Sequence, residues 1–178
     1  MAKNRTLDDL IKRLSNFEQD LQKQAPSIIL KAGRSFLEQK KEQILSGGVG
    51  RYSKKKYHPS SLKKKVISGA GLSFLEAKIQ KKEKTNWSEL RQAEGLQASF
   101  VDLWYTGQMW NSTIAQKKNQ VSFTYYVTIG ARNKKAQEKL FANFKRYGDF
   151  LRPNEQQAES LRQNLKTSIT NLLIRKIK

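Results

Sequence analysis

From Val121 to Ile129 the side chains alternate: Val121, Phe123, Tyr125, Val127 and Ile129 are interleaved with Ser122, Thr124, Tyr126 and Thr128. A period of two with β-branched and aromatic residues is the signature of a half-buried strand. Trp110 to Gln116 reads as a shorter strand before it, and Lys117-Lys118-Asn119-Gln120 supplies the polar residues of a turn, so the pair is expected as a hairpin. Two strands alone are marginal in water. One face of this hairpin therefore needs helices, and the flanking sequence has to provide them.

The N-terminal flank does so. Thr6 and Asp9 form a capping-box-like pair, with Asp8 and Asp9 in the first turn where the helix dipole favours anions. Leu7, Leu10, Leu14, Phe17 and Leu21 recur at helical spacing. Pro26 suits the first turn of a new helix, which is expected to run through Ile29, Ala32, Phe36, Leu37 and Ile44 until Ser46-Gly47-Gly48 stops it. The competing reading fuses the two segments into one long kinked helix. Leu72, Leu75 and Ile79 suggest a short helix, and another begins at Thr85 or Asn86, although Gly95 weakens it. After the hairpin, Asn133 caps a helix that ends at Gly148. Asn154 opens the last one, whose stripe is Ala158, Leu161, Leu165, Ile169 and Leu172. Leu161, Leu165 and Ile169 are expected to be buried. The fold class that follows is α+β: a hairpin or small antiparallel sheet packed against a long N-terminal helix and a C-terminal helix. Residues 1–178 are expected to form a single domain.

One stretch does not fit a packed element. Residues 47–65 read GGVGRYSKKKYHPSSLKKK, with Arg51, Lys54, Lys55, Lys56, Lys63, Lys64 and Lys65 and no acidic residue. Like-charge repulsion and the lack of an apolar stripe predict an exposed, flexible loop or arm over about 47–71. Tyr52 and Tyr57 among the lysines suit a surface that grips phosphates and stacks bases. The plain alternative is a solvated loop. The formal net charge of +20 favours an acidic partner in either case.

Catalysis has little material. His58 is the sole histidine, and there is no cysteine. The carboxylates show no metal-binding spacing, and Gly47-Gly48-Val49-Gly50 lacks the lysine and hydroxyl residue of a phosphate-binding loop. No catalytic residue, metal or cofactor is expected. Trp87, Trp104 and Trp110 read as core or interface anchors. No run of about 18 apolar residues predicts a membrane span, and the opening MAKNRTLDDLIKRL does not read as a signal peptide. Synthesis in the cytoplasm is the expectation.

The segment Thr106-Gly107-Gln108-Met109-Trp110-Asn111-Ser112-Thr113-Ile114 resembles the threonine–glycine, leucine, serine–isoleucine signature of the tail-completion or minor tail proteins of tailed bacteriophages. The layout is similar too: a long N-terminal helix, a variable basic segment, a strand ending Val127-Thr128-Ile129-Gly130, a helix, and Phe150-Leu151-Arg152-Pro153 before a C-terminal helix. Met109 stands where leucine is usual, a volume-conserving change, and the Tyr-Ala and Gly-Gly elements common after the strand are missing. The resemblance implies a non-enzymatic virion protein, forming or joining a homo-oligomeric ring at the neck or tail end. Its partners would be other neck, portal or tail proteins, with phage DNA in the channel as a further candidate and no membrane. Independently of any family, Thr106 and Gly107 read as turn residues, with Met109, Trp110 and Ile114 feeding the core. Ser112, Gly130 and Pro153 complete the structural positions. The rival from another class is a free nucleic-acid-binding protein using Arg51–Lys65.

Overall fold

A computed structural model describes residues 6–62, 67, 69–103, 107–118 and 124–177. The fold is α+β. In chain order the elements are α1 (Leu7–Gly47), α2 (Pro59–Leu62), α3 (Gly69–Gln80), α4 (Trp87–Ala93), α5 (Gln108–Ser112), β1 (Thr113–Lys117), β2 (Val127–Ala131), α6 (Lys134–Tyr147) and α7 (Glu155–Ile177). The contacts gather into two compact units. One comprises residues 1–40, 112–137 and 151–178; the other comprises 41–111 and 138–150.

The first unit holds the hairpin. β1 and β2 pair antiparallel with Thr113 opposite Ala131 and Lys117 opposite Val127, and the Lys118 N–H donates to the Tyr126 carbonyl at 3.0 Å. This register corrects two expectations. Lys117 belongs to the first strand, so the reversal falls between Lys118 and Tyr126 rather than at 117–120. Val121 to Phe123 lie outside the described residues. Trp110 to Ser112 are helical rather than extended. Met109 and Trp110 are adjacent and both buried, which a strand covered on one face does not manage because neighbours point to opposite faces. A single helical turn can, closed by the Asn111 N–H donating to the Gly107 carbonyl at 2.9 Å. The alternation itself holds from Tyr125 to Ile129, with Tyr126 and Thr128 exposed and their neighbours half-buried.

α1 runs unbroken through Pro26, so the competing single-helix reading is the correct one. A proline in a helix interior removes the N–H that would serve the carbonyl four residues back, here that of Gln22. The Tyr125 hydroxyl donates to that carbonyl instead, at a long 3.3 Å. Nearer the middle, Gly33 lets the hairpin approach closely: a Cβ built there would stand 2.7 Å from Val127 Cγ1 and 3.6 Å from Ala115 Cβ. At the start of α1, Thr6 Oγ1 accepts from the Asp9 N–H at 3.3 Å, as its sequence suggests.

α7 lies along α1 in the opposite direction. Lys40 Nζ donates to Gln157 Oε1 at 3.1 Å, and Lys176 pairs with Asp20 near the other end. Asn154 and Gln157 cap α7 reciprocally, each side chain accepting from the other's N–H. The expected stripe is only partly inward: Leu172 is buried, Leu161 and Leu165 are half-buried, and Ile169 is 39 % exposed. One partner helix covers a narrower arc than the five-residue stripe offers. The same register carries the first turns of α1 past the last turn of α7. There Leu7, Leu10, Ile11 and Leu14 stand 41–72 % exposed, beside Asp8 and Asp9.

The second unit is helical around two apolar groups. Leu62, Ile67, Leu75 and Leu90 form one, with Tyr57, Leu72, Phe74 and Trp87 packed against it. In the other, Trp110 meets Phe150 edge-on at 6.2 Å between ring centres, and Phe150 meets Phe144 at 4.8 Å. Asn86 caps α4 by accepting from the Glu89 N–H. Gly95, at φ +69°, closes the far end, with the Leu96 N–H donating to the Arg91 carbonyl at 2.9 Å and its own N–H to that of Gln92 at 3.0 Å. The glycine that weakened the sequence reading is therefore the stop signal. Among the described residues no helix is long and apolar enough to cross a membrane.

Candidate nucleic-acid interface

The basic segment is tied down at its start and again at Tyr57, and the stretch between these two ties forms a strap. Gly48, at φ +76°, terminates α1 by donating to the Ile44 carbonyl at 2.8 Å. The Val49 N–H then donates to the Val101 carbonyl (2.8 Å) and the Val101 N–H to that of Gly50 (2.7 Å). Seven residues further on, Tyr57 and Thr85 exchange two backbone hydrogen bonds of 2.7 and 3.0 Å. Pro59 and Leu62 are buried in the short helix that follows. The loop expected over 47–71 is thus interrupted by α2 and by the start of α3 at Gly69. A proline at the first position of α2 is preorganised for a helix, and Leu62 has an apolar cluster to enter.

Between the two ties the side chains sort by character. Arg51, Lys54, Lys55 and Lys56 are exposed, whereas Tyr52 and Tyr57 are half-buried. Lys55 Nζ lies 5.7 Å from the centre of the Tyr57 ring, and Lys56 is 3.8 Å from the Glu89 carboxylate. That carboxylate also accepts from the buried Thr85 hydroxyl at 2.7 Å. Lys63, Lys64, Lys65 and Thr106 lie outside the described residues. Gly107 is buried at φ +68°, the left-handed region that a turn reserves for glycine. Met109 is buried, while Ile114 is only half-buried. Ser112 serves the hairpin end: its carbonyl accepts from the Arg132 N–H at 2.8 Å and its hydroxyl from Asn133 Nδ2 at 3.1 Å. Gly130 has ordinary space for a Cβ, 3.8 Å from Gln137 Oε1, and Pro153 is exposed in the link before α7. Neither of these two meets a steric demand for its residue type.

The inward tyrosines line a cavity of about 120 Å³ with Ser53, Trp87, Arg146 and Tyr147. Trp87 is placed by the cap at Asn86, and Arg146 and Tyr147 by the last turn of α6, which Gly148 closes by donating to the Phe144 carbonyl at 2.9 Å. Behind Tyr52 the Arg91 guanidinium sits 5.7 Å from its ring centre. Arg91 is held by Asp102 at 2.7 Å and by the Gln97 carbonyl at 2.6 Å. Trp110 Nε1 donates to the Asp102 carbonyl at 3.4 Å. His58 is turned to Ser60, Nδ1 to Oγ 2.7 Å.

Sequence reasoning found Tyr52, Tyr57 and the strap's cations. It missed Trp87, Arg91, Arg146 and Tyr147, which lie 30 to 95 positions further along the chain. The available signal was the pairing of an aromatic residue with a helix terminus: Trp87 directly after a capping asparagine, Arg146-Tyr147 directly before a terminating glycine.

Burial raises the Tyr52 hydroxyl to about 12, against a smaller opposite pull from Arg91. The neutral phenol is the form favoured in the folded chain. Its stabilising contribution is complete below an ordinary tyrosine value near 10 and is lost as pH climbs from there to about 12. In an alkaline titration followed by phenolate absorbance, Tyr52→Phe should remove a late-ionising component. Loss of an ordinary, early component instead would mean that the ring is solvated.

Comparison with protein-family models, with curated proteins and with solved structures finds no match.

Proposed function

We propose that this chain is a non-enzymatic structural protein of a tailed bacteriophage particle, which forms or joins a homo-oligomeric ring at the head–tail connector or tail end. The observation that carries this reading is the start of α1. Leu7, Leu10, Ile11 and Leu14 form an apolar face with no cover among the described residues, next to Asp8 and Asp9 in a chain of net charge +20. A contiguous exposed apolar face marks an interaction surface. The exposed Ile169 and Ile174 of α7, beside Arg175, offer a second copy a complementary apolar and cationic surface. A contact between two different patches of the same chain is the kind that closes into rings. The motif from Thr106 to Ile114 and the layout around it support the phage assignment by resemblance. Neck, portal or tail proteins would then be neighbours, and DNA in the channel a candidate for the strap.

Leu10→Glu with Leu14→Glu should leave the melting temperature nearly unchanged, because both side chains are already exposed. The same pair should convert rings to monomers in sedimentation and electron micrographs. A parent chain that stays monomeric at every concentration and fails to co-sediment with particles would sink the proposal. A second reading, a free nucleic-acid-binding protein, is favoured by one observation, the cation-lined strap over an aromatic cavity.

A further inference from the structure

The cavity under the strap carries the nucleic-acid reading further, and the inference drawn from it rests on that reading of the strap. Four aromatic side chains, Tyr52, Tyr57, Trp87 and Tyr147, contribute to a space of about 120 Å³. A cavity of roughly 150 Å³ accommodates a benzene ring, so this space is on the scale of one planar ring. Aromatic enclosures of this kind also receive organic cations, and the local charge decides between the two. Three of the four rings already carry a cation: Arg91 at Tyr52, Lys55 at Tyr57 and Arg146 at Tyr147, each 5.7 Å from the ring centre. Arg51, Lys54 and Lys56 stand exposed on the strap. The two carboxylates beside these groups are already engaged, Glu89 by Thr85, Asn86 and Lys56 and Asp102 by Arg91. A cationic guest would join a cluster in which six cations, Arg51, Lys54, Lys55, Lys56, Arg91 and Arg146, outnumber those two carboxylates. A planar ring attached to a phosphate would stack on the aromatic walls and leave its charge among the lysines.

We infer that this cavity receives a single unstacked base of single-stranded nucleic acid, with the flanking phosphates held by Arg146 and by Arg51, Lys54, Lys55 and Lys56. Duplex DNA keeps its bases stacked and offers such a cavity nothing, whereas every base of a single strand has a free face. The geometry thus selects for strand state and is indifferent to sequence. Ser53 and the un-ionised Tyr52 hydroxyl add polar atoms for a base edge. The inference holds whether the chain works inside a particle or free.

The experiment titrates the full chain with three probes of equal length and follows tryptophan fluorescence: oligothymidylate, an abasic single strand with the same backbone, and a duplex. Base–aromatic stacking predicts that oligothymidylate binds roughly five- to 150-fold more tightly than the abasic strand. It should quench the emission, and its affinity should fall steeply with salt. Equal binding of the abasic strand, equal binding of the duplex, or no binding of any probe would each overturn the inference. The last outcome would also remove the nucleic-acid reading of the strap, and the first would leave that reading standing, so the two failures are distinct. Tyr147→Ala locates the site: it should erase most of the preference for bases over the abasic backbone while the protein keeps its circular dichroism. Persistence of the full preference in that variant would place base recognition elsewhere and overturn the assignment. Trp87→Phe guards against loss of the fold, since it keeps a ring on the wall; it should retain the preference and lose the quenching. Quenching by tetramethylammonium with none by oligothymidylate would show a cation site and overturn it as well.

Discussion

Asp102→Ala should cost about 3–5 kcal/mol of stability, because it strands a buried guanidinium. The Arg91 side chain is 4 % exposed and that of Asp102 is 7 %. Their contact of 2.7 Å is supplemented by the Arg91 Nε hydrogen bond to the Gln97 carbonyl. Removing the carboxylate leaves a charge that water cannot reach. A domain's total stability is typically about 5–15 kcal/mol, so the variant should unfold at a much lower urea concentration. The double variant Arg91→Met with Asp102→Leu tests the cause, since replacing a buried ion pair by apolar groups of similar size is often neutral. It should recover most of the loss. A loss well under 1 kcal/mol for Asp102→Ala would mean that water reaches the pair, since exposed pairs contribute about that little.

Gly33→Leu should also destabilise, against what helix propensity alone suggests. Exchanging a mid-helix glycine for a good helix former ordinarily gains about 1 kcal/mol. Here a Cβ would approach Val127 Cγ1 to 2.7 Å and Ala115 Cβ to 3.6 Å, and a leucine carries three further carbons into the same gap. Overpacking of a closed contact costs roughly 1–3 kcal/mol, and the absence of slack on two sides puts this variant at the upper end. Val127→Ala in the Gly33→Leu background should restore part of the loss, which a urea titration of the two variants would measure. Equal or higher stability of Gly33→Leu alone would show that the hairpin does not rest on this part of α1.

Local chemistry made much of the fold legible. Thr6, Asn86, Asn133 and Asn154 each announce a helix start, and each accepts the expected backbone hydrogen bond. Gly48 and Gly148 read as stops and do mark ends at positive φ, whereas Gly95 reads only as a weak point and proves to be a third stop. Where the reading failed, the deciding interaction was distant in sequence. Pro26 argues locally for a break, and the hydroxyl that replaces its missing hydrogen bond at the Gln22 carbonyl comes from Tyr125, 103 positions from Gln22. Trp110 resembles the start of a strand until it and Met109 are seen to need the same interior. Ile169 completes a helical stripe on paper, but how much of a stripe is covered depends on the partner's width. The site divides the same way. The strap is contiguous, so its charges and tyrosines could be read directly. Trp87, Arg146 and Tyr147 reach the cavity only because helices end there, and no spacing rule in the sequence joins them to Tyr52.

The hydrogen bond between Tyr125 and Gln22 makes the helix a conditional object. While the hairpin is docked, the backbone at Pro26 is satisfied and α1 is one element of 41 residues. If the hairpin lifts, the Gln22 carbonyl must turn to water, and the proline reverts to the break that its chemistry favours. The first two-fifths of α1, including the apolar face that begins it, then joins the rest through a hinge. Hairpin docking is in this sense a latch: closing it, together with the Lys176–Asp20 contact to α7, fixes the direction in which Leu7 to Leu14 are presented.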